Sequence, residues 1–150
     1  MQWQSLSATV TAGYGVASGK HPDPRFPEGS LSLQLPQFET LGLNLSGYFR
    51  GTLNLSIAPA SYRIITPYRC FRGVKWCDAM PPEDFSFFRC QLGTHTKNLV
   101  EGYVYYPHPE TKPDHFQSPD ILEVITQPLE RIHYGEAMTL LLHTDELKVI

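Results

Sequence analysis

Thirteen prolines and eleven glycines in 150 residues leave this chain little room for long helices. Proline breaks a helix interior and a central strand alike, and glycine is costly in both. A chain punctuated this often folds most readily as short strands joined by turns. Its hydrophobic content is 41% against 18% charged, enough apolar material for one packed core and too little charge for disorder. Residues 1–150 therefore read as a single domain.

The local patterns agree. Residues 7–15 begin as a β-rich run and end in a glycine turn, Gly13-Tyr14-Gly15. Residues 16–29 carry Pro22, Pro24 and Pro27 and read as a long surface loop. Leu31, Leu33 and Leu35 alternate with Ser32 and Gln34, which predicts a strand, and 37–43 predicts a short helical turn. Further strands are expected at 51–57, 71–77, 85–92, 99–106, 122–126 and 138–142. The fold class predicted is mainly β, a small barrel with one or two helical turns.

Gly51-Thr52-Leu53-Asn54-Leu55 is the segment richest in chemistry. Side chains alternate along a strand, so Leu53 and Leu55 share one face and Thr52 and Asn54 the other. A hydroxyl and a carboxamide oxygen at that spacing suit a hard cation such as Mg²⁺, provided a nucleotide's phosphates bring the negative charge. A Thr and an Asn on one strand face serve equally as a solvent-facing pair. Glu123 stands among apolar residues in 121–126, so it points either to solvent or into a cleft with a partner.

Charge is distributed unevenly. No acid falls between Thr40 and Cys77, where Arg50, Arg63, Arg69, Arg72 and Lys75 stand. A basic middle suits phosphate groups. From Glu110 onward eight acids face only Lys112, Arg131 and Lys148. The net charge of −3 argues against nucleic-acid binding. No apolar run reaches membrane-spanning length, and the first residues lack the pattern of a signal peptide. Cys70, Cys77 and Cys90 are odd in number and lack zinc-knuckle spacing, so reduced thiols and a cytoplasmic location are expected. His108, Glu110, Asp114 and His115 crowd one proline-rich loop and offer a weaker reading, a metal-dependent hydrolase or isomerase.

In order, these motifs resemble the archaeal-type CTP-dependent riboflavin kinases. The strings concerned are Gly13-Tyr14-Gly15 with Gly19-Lys20, Gly51-Thr52-Leu53-Asn54, 71–75, Ile121 to Ile125, Leu129-Glu130-Arg131 and Tyr134-Gly135-Glu136. The resemblance covers most of the chain, and only the Gly51 to Asn54 string, with its lead-in, is individually specific. It implies a six-stranded cradle-loop barrel that transfers phosphate from CTP to riboflavin with Mg²⁺. It implies Thr52 and Asn54 as metal ligands. It places Gly13, Tyr14, Gly15, Gly19, Lys20 and Gly51 around the nucleotide, and Arg131 in a turn that grips CTP. Glu123 falls on or next to the acid that contacts the flavin and is the expected catalytic group. His115 lies in the stretch that would meet the flavin phosphate. Glu130 puts an acid beside Arg131, and Asp114 puts one beside His115, where the family meets phosphate. A barrel of the same fold that binds a nucleotide or a flavin-like small molecule without chemistry is the alternative.

Overall fold

A computed structural model describes residues 2–12, 29–94, 98–112, 118–129 and 132–150. Its elements are β1 (Trp3–Thr11), α1 (Ser30–Thr40), β2 (Leu53–Ser56), β3 (Tyr62–Ile64), β4 (Arg69–Val74), β5 (Glu83–Gly93), β6 (Val100–Pro107), β7 (Ile121–Thr126), β8 (Ala137–His143) and β9 (Leu147–Val149).

Six strands close on themselves in the order β5-β6-β7-β2-β1-β8 and back to β5. All six contacts are antiparallel. The protein is therefore mainly β, a closed six-stranded barrel, as expected. Closure removes the open sheet edges within the ring. Alternation explains the inside. On β1, Ala8 and Val10 are buried while Ser5, Ser7 and Thr9 are exposed. Val10, Leu55, Phe88, Val104, Val124 and Leu140 fill the lumen with others of their kind. Gly102 on β6 sits where an added Cβ would lie 2.9 Å from the Ile125 carbonyl oxygen, so β6 and β7 meet tightly there.

β5 does two jobs. Its residues Cys90–Gly93 pair with β8 and complete the ring. Its first half pairs with β4, which extends the sheet beyond the barrel. Both faces of β5 are covered, so its buried residues run almost without a break instead of alternating. Phe85 and Phe87 face outward into a second core with Leu31, Phe38, Phe71 and Trp76. Helix α1 is the lid of that core.

That helix corrects the sequence reading, which expected a strand at 31–35. Five residues of Leu/polar alternation match a strand, but the buried set is Ser30, Leu31, Gln34 and Phe38, one face of a helix. Phe38 decides the matter. Its ring packs at 5.0 Å from Phe85, 4.9 Å from Phe87 and 6.1 Å from Phe71, and only a helix brings Leu31 and Phe38 to the same side. Pro36 lies inside the helix and masks it in the sequence. Strands β3 and β9 were also unforeseen; three residues each are too few to show a period.

Candidate functional site

The pairing of β2 with β7 builds the site. Asn54 stands opposite Glu123, and Leu55 opposite Leu122. Cross-strand partners share a face. The two leucines therefore enter the barrel, and Asn54 and Glu123 stand on its outer face. Thr52, just ahead of β2, donates its hydroxyl to Glu123 Oε1 at 3.1 Å. Three residues singled out from the sequence, Thr52, Asn54 and Glu123, thus come together although 71 positions separate Thr52 from Glu123. Gly51 is buried beside them.

Glu123 is half-buried, and burial raises its pKa above the usual carboxylate value. The charge of Lys112 and the Thr52 hydrogen bond pull it back in part. Glu123 borders the second core, where burial holds Tyr105 well above the ordinary phenol value and its hydroxyl donates to Gln34 Oε1 of α1.

Two clefts flank the Thr52–Glu123 hydrogen bond. One, of about 210 Å³, is lined by Tyr62, Tyr106, Pro109, Lys112 and Glu123 among others. The second, of about 350 Å³, takes Phe49, Gly51, Thr52, Leu53, Thr126 and Leu129 into its wall. Lys112 was not singled out in the sequence as a site residue. The signal was there, a cation in an otherwise acidic stretch beside the glutamate strand. The turn before it is firmly tied. The His108 N–H donates to the Asp84 carbonyl at 2.9 Å, and the Lys112 N–H donates to the His108 carbonyl at 3.0 Å. The Asp84 N–H donates to Thr111 Oγ1 at 2.8 Å.

The remaining sequence candidates fare differently. Gly13, Tyr14, Gly15, Gly19, Lys20, His115 and Arg131 lie outside the described residues, as do Asp114 and most of the loop at 16–29. In the histidine loop, His108 Nε2 sits 2.7 Å from Ser86 Oγ and Nδ1 sits 3.2 Å from Glu110 Oε1. Both ring nitrogens are engaged. Among the described residues no group of three or more His, Cys, Asp or Glu is arranged to hold a metal ion. The basic middle does not gather at the site. Arg72 pairs with Asp84 at 3.0 Å, Lys75 donates to the Met80 carbonyl, and Arg69 lies over the Tyr68 ring. None of the five cations lines either cleft. The three cysteines are free thiols.

The oxygen donors suit a hard cation. Thr52 gives its proton to Glu123, which leaves both lone pairs of Oγ1 able to accept. A carboxylate and a carboxamide stand on the neighbouring positions, an all-oxygen set of the kind Mg²⁺ prefers. No protein-family model matches the chain, and no curated protein is significantly similar to it. Among the described residues, no helix is long and apolar enough to cross a membrane.

Proposed function

We propose that this barrel transfers the terminal phosphate of a nucleotide, CTP by resemblance, to riboflavin or a similar small alcohol. The observation that carries the reading is the meeting of Thr52, Asn54 and Glu123 on one outer face, with Lys112 across the adjoining cleft. Thr52 and Asn54 would hold Mg²⁺, which neutralises phosphate charge when bound. Lys112 meets the transferring phosphoryl group as a point charge. Glu123 orients the acceptor hydroxyl and takes its proton. The acceptor oxygen forms the new bond to phosphorus as the bond to the β-phosphate oxygen breaks, and the nucleoside diphosphate leaves. A loose transition state asks little of the base, so the work is positioning and electrostatics.

Calorimetric titration with CTP, ATP and riboflavin, each with and without Mg²⁺, tests the reading, followed by assay of FMN formation. Mg²⁺-dependent nucleotide binding with FMN produced is the expected result. Absence of binding by all three sinks it. A second reading, a small-molecule-binding barrel without chemistry, draws support from the cation count. Lys112 is the single cation among the described residues lining the two clefts, few for a triphosphate.

A further inference from the structure

The small sheet of β3 and β9 sets two cations against each other. Its register pairs Arg63 with Lys148, between the pairs Tyr62–Val149 and Ile64–Leu147. Those flanking residues pack on the barrel core, so alternation turns Arg63 and Lys148 outward, and both are exposed. Like charges directly opposite on a sheet face weaken it. A sheet of three residues per strand has few contacts to offset that cost. Neither side chain has an ion pair or hydrogen bond among the described residues. Glu146, two positions before Lys148, is committed elsewhere. It accepts from the Arg89 N–H at 2.8 Å and from Arg89 Nε at 2.6 Å. Asp145, exposed in the turn before β9, forms an ion pair with neither cation.

Two isoleucines share this outer face. Backbone bonds carry the pairing past the strand ends. The Ile65 N–H donates to the Glu146 carbonyl at 2.8 Å, and the Ile150 N–H donates to the Ser61 carbonyl at 2.9 Å. Ile65 and Ile150 therefore stand at the parity of Arg63 and Lys148, and they are 46% and 61% exposed. A cation pair with an open aliphatic side chain at each end makes the face amphipathic. Such cations meet lipid phosphates, and the aliphatic groups enter the boundary between headgroups and acyl chains. A protein partner fits less well. Lysine is depleted at protein–protein interfaces, and one short two-stranded face offers little of the ~800 Å² that a stable interface takes from each partner.

We infer that this face docks the protein on a membrane surface rich in acidic phospholipids, with Arg63 and Lys148 on the phosphates and Ile65 and Ile150 in the interface. The negative surface relieves the repulsion between the two cations. Docking is peripheral and uses neither Mg²⁺ nor nucleotide, so it stands apart from the phosphoryl-transfer reading.

Cosedimentation with vesicles tests the inference. The wild type, Arg63→Glu, Lys148→Glu and Ile65→Ser are mixed with vesicles of phosphatidylserine and phosphatidylcholine in equal parts, or of phosphatidylcholine alone. The wild type should sediment with the acidic vesicles at low salt, less so at high salt, and not with the neutral ones. Arg63→Glu shifts the face by two charges and should weaken binding to acidic vesicles by about thirtyfold, at ~1 kcal/mol per charge. Lys148→Glu should match it, and Ile65→Ser should weaken binding by about fivefold. Each glutamate variant also turns the like pair into an opposite pair, so it should unfold at the wild-type temperature or higher. Absence of sedimentation with acidic vesicles at low salt overturns the inference. So does equal binding to neutral vesicles, or undiminished binding by either glutamate variant. A lowered unfolding temperature in both glutamate variants overturns the repelling pair on which it rests. Binding to polyglutamate without binding to vesicles overturns the membrane assignment and gives the face to an acidic polypeptide.

Discussion

The barrel lumen and the core under α1 are built on different terms. The lumen is largely aliphatic, and each of its strands contributes every second residue. The outer core is aromatic, with Phe38, Phe71, Phe85, Phe87 and Tyr105 clustered beneath one helix. Ring pairs within it meet at 4.9 to 6.1 Å. Aliphatic alternation satisfies a ring of strands whose partners all follow the same rule. Aromatic packing fills the irregular space between a helix and a sheet, where a few large side chains must fit one another. The candidate site stands on the seam. Its strands belong to the barrel, and its outer face adjoins the helix-covered core.

The outer core depends most heavily on Phe38. Phe38→Ala removes a fully buried ring and should cost about 3–5 kcal/mol in denaturant unfolding. Hydrogen exchange should then show α1 and β4 loosened while β1, β2 and β8 stay protected. Uniform loss across all strands would mean the two cores are one cooperative unit. Within the barrel, Gly102→Ala pushes a methyl group against the Ile125 carbonyl oxygen and the side chains of Leu92 and Val124. Chemical denaturation should register about 1–3 kcal/mol lost, the range for overpacking. A neutral result would show that β6 and β7 can part slightly without harm.

Alkaline titration probes both regions together. Burial pushes Tyr62, packed against the barrel core, up to about 12 and holds Tyr105 in the outer core well above the ordinary phenol value. A raised phenol pKa means the folded state favours the neutral ring. That stability is complete below pH 10, the unfolded value, and is lost as pH rises through 10 towards 12. Phenolate absorbance should therefore still be rising when circular dichroism is lost, because Tyr62 and Tyr105 ionise only as the fold gives way. Ionisation of all the tyrosines before any structural loss would contradict the burial described. The smallest effect on stability is expected at Asn54. Asn54→Ala should leave unfolding within about 0.5 kcal/mol of wild type, as for most half-exposed polar positions, yet abolish Mg²⁺-dependent nucleotide binding. Binding that survives with its Mg²⁺ dependence intact would refute the assignment of Thr52 and Asn54 to a metal.

Much of the barrel is legible residue by residue. Leu53 and Leu55, or Met138 and Leu140, announce strands because every second side chain must enter a shared lumen, and that period is local. Thr52 and Asn54 share a face for the same reason. The helix is not local information. Residues 31–35 fit two periods, and the choice rests on Phe38 meeting Phe71, Phe85 and Phe87 from distant strands. Nor could β3 and β9 be seen, since Tyr62 finds Val149 only once the chain has closed. The site divides along the same line. Spacing along one strand places the oxygens of Thr52 and Asn54. Register between β2 and β7 puts Glu123 opposite Asn54 and within hydrogen-bond reach of Thr52, and a tied turn brings in Lys112. A strand's own alternation is written in neighbouring residues; which strand lies beside it depends on how six of them fit around one core.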